Sequence, residues 1–482
     1  MPEGRTRKPV VIPERCEACD VCARGCPAVL IPEYRQETES LRGTIFSGAQ
    51  ALPPLGEHAI PPCQAACPVH QETQHYLRLI AEGRFLEALD VIRETLPFPG
   101  IIGRICHRPC EQACVRGKRL DEPLMLCGLK RFVADYEVGR REPPPPPVGP
   151  QKGASVAVIG GGPSGMACAL SLRRSGYGVT IFEKDKELGG ALHWGIPAYR
   201  LPREVLRRET AVVARAGVEI RLNTSLGRDI SLKEIRDTFD AVYLACGAQG
   251  ARRLGMDHEA AQGVLSGVDF LRRINGGGPA KVGRNVVVVG GGNVAIDAAL
   301  TARQIGTGEV TLVCPEGREE MLAGQEEVEQ ALVEGVIIRN GWGPRRILAE
   351  EGRVRGIELK QCTVAFDGSG QFDPRYDERV TTVLSADTLI IAIGQLPETD
   401  FLKGVRGVEV TPEGWIVADP VTLETGITGV FSGGDIVTGP RTAIEAIEAG
   451  QRAAVSIDRY FSRKDERGVR SQETGQQPGR GS

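Results

Sequence analysis

The stretch VAVIGGGPSGMACALSLRRSGYGVTIFE, residues 156–183, decides the fold of the chain that carries it. Val156–Ile159 is an apolar run with the length and content of a buried parallel strand. Gly160, Gly162 and Gly165 follow in G-x-G-x-x-G spacing. A small-residue helical pattern then runs through Ala167, Ala169 and Leu172 until Gly176 and Gly178 break it. Val179–Phe182 reads as a second strand, closed by Glu183. This is the dinucleotide fingerprint in its required strand–turn–helix–strand setting. Gly160 permits the tight turn, Gly162 lets backbone approach a pyrophosphate, and Gly165 lets helix and strand pack closely. The helix N-terminus offers unpaired N–H groups to phosphate. Glu183, with Lys184 beside it, is placed to accept hydrogen bonds from a ribose diol. A ligand-free Gly-rich turn is the plainer reading, but it leaves the second strand and the terminal acid unexplained.

The same grammar recurs at VVVVGGGNVAIDAAL, residues 286–300. Gly290, Gly292 and Ala295, with Asn293 inside the turn, form G-x-G-x-x-A between a β-branched strand and a helix. Two such units predict a two-dinucleotide-binding-domain α/β protein with Rossmann-like sheets. The next strand, Val310–Val313, runs into Cys314-Pro315-Glu316-Gly317-Arg318.

At 482 residues the chain has room for about three domains at roughly 150 residues each. A net charge of −3 with well-mixed signs, and only 5% aromatic residues, argue against a nucleic-acid partner. The apolar stretches are strand-sized, which predicts no membrane insertion, and the N-terminus lacks the apolar core of a secretory signal. A cytoplasmic location is expected.

Fourteen cysteines say more, because ten precede residue 128. Cys16, Cys19, Cys22 and Cys26-Pro27 have the C-x2-C-x2-C-x3-C-P spacing of bacterial iron–sulfur ferredoxins, in which short gaps curl a loop around one face of a cubane. C-x2-C pairs also bind zinc, but four cysteines in so tight a run, followed by proline, favour iron–sulfur. Cys63, Cys67, Cys106, Cys110 and Cys114 form a second group. Between its halves, residues 71–94 read as amphipathic helix with apolar positions Tyr76, Leu77, Ile80, Phe85, Leu89 and Ile92, interrupted at Gly83. Cys127 lies in a further helical stretch. Pro143–Pro147 is a stiff spacer.

The segments PPCQAACPVHQ, GRICHRPCEQACVRG and GLKRF resemble the iron–sulfur domain of the glutamate synthase small (beta) subunit family. That family also includes the N-terminal part of dihydropyrimidine dehydrogenase and the flavin subunit of NADH-dependent ferredoxin:NADP oxidoreductases. The resemblance spans about residues 55 to 460. It implies FAD in the first dinucleotide unit, NAD(H) or NADP(H) in the second, and two [4Fe–4S] clusters in the helical domain. It implies that Cys63 and Cys114 join two upstream cysteines, and that Cys67, Cys106 and Cys110 hold the other cluster, whose fourth ligand in relatives is a Gln or Glu near Lys130. The chain departs from the pattern there, since lysine is a poor iron ligand. Cys127, one helical turn earlier, could substitute, although a buried free thiol is the preferred reading. The family also implies flavin contacts from Gly189, Gly190, Gly434 and Asp435, with the helix near Thr442 aimed at the flavin. NADPH-using relatives carry two arginines at the places of Pro315 and Glu316, so the resemblance favours NADH here.

The expected organisation is a helical cluster domain over 1–142, a proline-rich linker over 143–153, a FAD domain from 154–253 and 396–462, a nicotinamide domain over 254–395, and a disordered tail over 463–482. The expected function is flavin-dependent electron passage between NAD(P)H and a redox partner subunit or ferredoxin, within a hetero-oligomeric complex. Positioning and cofactor electronics suffice for such chemistry, so no catalytic side chain is assigned. No C-x2-C pair lies beside the flavin segments, which argues against a dithiol mechanism. An electron-bifurcating flavin subunit, and a wire or assembly subunit that never meets NAD(P)H, stand as alternatives.

Overall fold

The computed structural model describes residues 60–119, 122–279, 282–306 and 308–473. The ferredoxin-like run Cys16–Cys26 lies outside the described residues. The chain divides into two compact units, one holding residues up to Pro146 with Ala443–Glu448, the other Pro147–Thr442 with the residues from Ala449. The division falls inside the proline run.

The first unit is helical: α1 (Pro62–Ala65), α2 (Thr73–Ala81), α3 (Phe85–Thr95), α4 (Pro99–Ile105), α5 (Pro109–Gln112), α6 (Val115–Arg119) and α7 (Leu126–Glu137). The expected break between α2 and α3 is present, with Gly83 at φ +74°. The buried face of α2 is Tyr76, Leu77 and Leu79, so Leu79 replaces the expected Ile80 as a core residue. Phe85 stacks edge-on against Phe132 and Tyr136 of α7. Arg93 donates to both oxygens of buried Glu137 at 2.6 Å, tying α3 to α7.

The second unit opens with β1 (Ser155–Ile159), α8 (Pro163–Arg174), β2 (Gly178–Phe182), α9 (Ala191–Trp194), α10 (Arg203–Arg215), β3 (Glu219–Arg221), α11 (Leu232–Thr238), β4 (Ala241–Leu244) and β5 (Gly250–Ala251). It continues with β6 (Val264–Ser266), α12 (Gly267–Asn275), β7 (Asn285–Val289), α13 (Asn293–Gln304), β8 (Glu309–Cys314), α14 (Gln325–Val333) and β9 (Ile337–Asn340). Three long strands follow, β10 (Trp342–Glu350), β11 (Arg353–Phe366) and β12 (Phe372–Ser385). The remaining elements are β13 (Thr388–Ile391), β14 (Gln395–Leu396), β15 (Val430–Ser432), α15 (Asp435–Thr438) and α16 (Ala443–Glu473).

Two five-stranded parallel sheets organise these elements. One has the order β15-β4-β1-β2-β3, the other β6-β13-β7-β8-β9. Their central strands are nearly continuous apolar runs, as expected of parallel sheets covered on both faces. Val156, Ala157, Val158 and Ile159 of β1, and Val286–Val289 of β7, are all buried. β10, β11 and β12 form an antiparallel sheet, and β5 pairs with β14.

One expectation about the C-terminus is corrected. A disordered tail was expected from residue 463, but α16 runs on to Glu473. The stretch is rich in Arg, Lys, Glu and Gln, all strong helix formers, so polarity there does not break the helix.

Candidate functional site

The first dinucleotide turn lies between β1 and α8. Gly160 has φ +110°, and a Cβ there would collide with the carbonyl of Ala245. A Cβ on Gly165 would collide with the carbonyl of Gly160, so helix and turn meet backbone to backbone. Gly162, the N-cap of α8, has nothing within 4 Å of its Cβ direction. Open space above a helix N-terminus is what a pyrophosphate needs. Glu183 is 4% exposed, and its Oε2 accepts the Gly161 N–H at 2.6 Å while Oε1 accepts the Asp185 N–H at 2.8 Å. Burial raises its pKa, and its remaining lone pairs can still accept from a diol. Lys184 instead pairs with Glu398 at 3.3 Å.

Two further segments reach this turn. The Gly189 N–H donates to Gly161 O at 2.8 Å, and a Cβ on Gly190 would lie 3.0 Å from Gly162 Cα. Gly434, at φ +74°, packs its backbone on Ser164, 3.1 Å from that side chain's Cβ by the same measure. Ser164 in turn shares a 2.7 Å hydrogen bond with Tyr243. Asp435 opens α15 and accepts the Arg441 N–H at 3.2 Å. Thr442 directly precedes α16. Every residue expected at the flavin site except Lys184 and Thr442 therefore lies at the turn or is tied to it through its neighbours.

The second turn copies the first. Gly290 has φ +142° and backs onto the carbonyl of Ala392; Ala295 is fully buried; Gly292 caps α13 under open space. Asn293 Oδ1 accepts the Gly324 N–H at 3.0 Å and fixes the loop before α14. Glu316 is 3% exposed, and a Cβ on Gly291 would lie 2.7 Å from its Oε2. That oxygen is buried without a hydrogen-bond partner, and so is Arg318 Nη1. Burial raises the Glu316 pKa. A buried carboxylate oxygen left over at the glycine turn fits a ligand hydroxyl.

Sequence reasoning missed what joins the two halves of this unit. Arg200 donates to Asp297 Oδ1 and Oδ2 at 2.9 and 2.8 Å, and to Glu327 at 2.8 Å. Asn275 donates to the Trp194 carbonyl at 2.8 Å. Asp297 follows the second fingerprint by two residues, an unusual place for a charge on a buried helix face, and that was the available signal.

In the helical unit, Cys67, Cys110, Cys114 and Cys127 are buried, and all described cysteines are free. The Cys127 thiol is held above the usual range by its neighbours Cys106 and Cys110, and theirs are held below it by Cys127. His107 is exposed, and the neighbouring Cys106 thiol raises its pKa. Lys130 is 2% exposed. Burial opposes its charge, but Tyr76, Cys127, Cys110 and Cys67 more than offset that and raise its pKa. Cys63 and Cys114 face each other across a cavity of about 30 Å³ also lined by Thr73 and Gln74. Burial pushes the Cys63 thiol up to about 11. Among the described residues no three His, Cys, Asp or Glu side chains converge on one metal ion. Several cysteine thiols with a buried ammonium beside them are a donor set whose chemistry suits an anionic iron–sulfur cluster.

Comparison with known proteins agrees with this anatomy. Residues 154–450 match the pyridine nucleotide-disulphide oxidoreductase family, and residues 58–142 match the 4Fe–4S cluster domain described as dihydropyrimidine dehydrogenase domain II. The NADP(+)-dependent formate dehydrogenase subunit beta of Moorella thermoacetica is 42% identical over 425 residues, covering 83% of this chain and 60% of the relative. This chain thus spans about three fifths of that relative's length. The glutamate synthase [NADPH] small chain of Escherichia coli is 32% identical over 417 residues, covering 82% of this chain and 88% of the relative. Among solved structures, Mycobacterium tuberculosis FprA in complex with NADPH superposes with a TM-score of 0.57 at 18% identity, over 65% of this chain and 86% of that one. This last likeness concerns fold alone. Among the described residues no helix is long and apolar enough to cross a membrane.

Proposed function

This chain belongs to the pyridine nucleotide-disulphide oxidoreductase family and carries a 4Fe–4S domain, and from that premise we propose that it is an electron-exchange subunit between NADH and a redox partner. FAD would be held by Gly160, Gly162, Gly165, Glu183, Gly189, Gly190, Gly434 and Asp435, and the nicotinamide nucleotide by Gly290, Gly292, Asn293, Ala295 and Glu316. When bound, the flavin links two-electron chemistry at a nicotinamide with one-electron chemistry at iron–sulfur clusters. The chain's own residues bind and orient. The glycine turns bring helix N-termini to two pyrophosphates, and the two buried glutamates accept from the riboses.

The observation that carries the cofactor choice is Glu316 Oε2, buried, unpartnered and directed at Gly291. A carboxylate there accepts from a ribose 2′-hydroxyl and repels a 2′-phosphate. The names of both relatives cited above specify NADP, so this chain's preference would differ from theirs. Relatives named as subunits support a partner protein, a ferredoxin or a larger subunit, and the clustered cysteines of an iron–sulfur domain suit a reducing compartment such as the cytoplasm.

Anaerobic mixing of the full, cluster-loaded chain with NADH or NADPH tests the reading through bleaching of the flavin band. Faster bleaching by NADH is expected, and Glu316→Gln should narrow the ratio at least about tenfold, the equivalent of one charged hydrogen bond. A preference for NADPH would overturn the cofactor choice, and no bleaching with either nucleotide would overturn the oxidoreductase reading.

A further inference from the structure

We propose that Cys127 is the fourth protein ligand of the [4Fe–4S] cluster held by Cys67, Cys106 and Cys110. The inference rests on the reading of the helical unit as a cluster domain and concerns which atom completes the site.

The four cysteines come from separate stretches. Cys67 follows α1, Cys106 caps α4, Cys110 lies in α5, and Cys127 is in the first turn of α7. Cys127 is 1% exposed, and two of the other three thiols, those of Cys106 and Cys110, are its neighbours. The start of α7 is fixed there, because the Cys127 N–H donates to Glu111 Oε1 at 2.7 Å. That bond also engages Glu111, the carboxylate next to Cys110 in sequence. His107, the other donor beside the group, is exposed. Lys130 holds the place where the resembling proteins have a Gln or Glu ligand, and an ammonium has no lone pair to give a metal.

Residues three apart on a helix share a face. A thiol at 127 can therefore serve the space that a side chain at 130 would reach. Charge points the same way. A thiolate at 127 with an ammonium at 130 leaves the site with the charge that a neutral ligand at 130 would give. Without Cys127 as a ligand, a buried thiol would abut two cluster thiolates without function, and Lys130 would lack one of the anions that balance it.

The test uses the full chain purified anaerobically, with iron content, absorbance and electron paramagnetic resonance as readouts. Cys168→Ala serves as control, since Cys168 is buried in the other unit within α8. Cys127→Ala should lose between about one and about four irons per chain, with a three-iron signal in the first case, because one corner of the cubane has lost its ligand. Cys127→Ser, whose oxygen can still bind iron, should keep the metal and shift its reduction potential. Should the alanine variant fail to bind FAD, the serine variant decides. Full iron with unchanged spectra and potential in the folded variants would overturn the assignment alone. An iron-free wild type would sink the cluster-domain reading, and this assignment with it.

Discussion

Gly162 and Gly165 stand three residues apart and meet different surroundings, which separates ligand binding from folding. A Cβ at Gly165 runs into the Gly160 carbonyl, whereas a Cβ at Gly162 meets nothing within 4 Å and its φ is −75°. Gly165→Ala should therefore cost about 1–3 kcal/mol of stability through overpacking. Gly162→Ala should leave stability within about 0.5 kcal/mol while weakening FAD binding at least about tenfold. Denaturant melts and flavin titration of the two variants check this; equal stability loss would refute the cradle as drawn. At Glu316, burial holds the carboxyl above its ordinary 4.5. The acceptor form grows as pH rises through that raised value, so NADH should bind more tightly with rising pH in the mildly acidic range. The dependence should vanish in Glu316→Gln, as fluorescence titration would show. For folding the sign is opposite: the native state binds the extra proton, so this group's contribution to stability falls over the same window.

At the level of elements, the loop from Gly189 to Leu201 is clamped to α13 and α14 by Arg200. Asp297 is buried, and burial outweighs Arg200 to bring its carboxyl to about 6 from 3.8. Arg200→Met would strand Asp297 and Glu327 without their cation, which should cost about 3–5 kcal/mol at pH 7. The loss should shrink at pH 5, where Asp297 takes up a proton; equal losses at both values would show that Asp297 is not the responsible charge. This clamp was illegible in the sequence because an ion pair across 97 residues leaves no local pattern. The parallel strands and both turns were legible, since each apolar run, its glycines and its helix are contiguous. Of the clustered thiols, the position of Cys127 was visible as one turn before Lys130, but its closeness to Cys106 and Cys110 depends on how α4, α5 and α7 pack. The β10–β12 sheet went unread, although Glu351-Gly352, both at positive φ, is a primed hairpin turn between β10 and β11. Its strands mix charges with apolar residues on both faces, so the alternation there is weak.

For the whole molecule, the chain divides into two compact units, the first also holding Ala443–Glu448, and we expect them to unfold independently. Calorimetry should show two unfolding transitions, and chelating the iron should lower only the one that belongs to the helical unit, because metal binding there contributes to folding. A single transition shifted as a whole would contradict that independence. That Cys106 and Cys110 are neighbours of Cys127 also bears on how the protein ages. A chain stripped of metal in air does not simply wait to be refilled. With Cys127 in the proposed cluster site, oxygen would join two neighbouring sulfurs and leave a covalent staple closed to iron. Non-reducing peptide mapping of aerated, iron-free protein should find a disulfide among these three residues, and reloading should succeed only after a thiol reductant has reopened it.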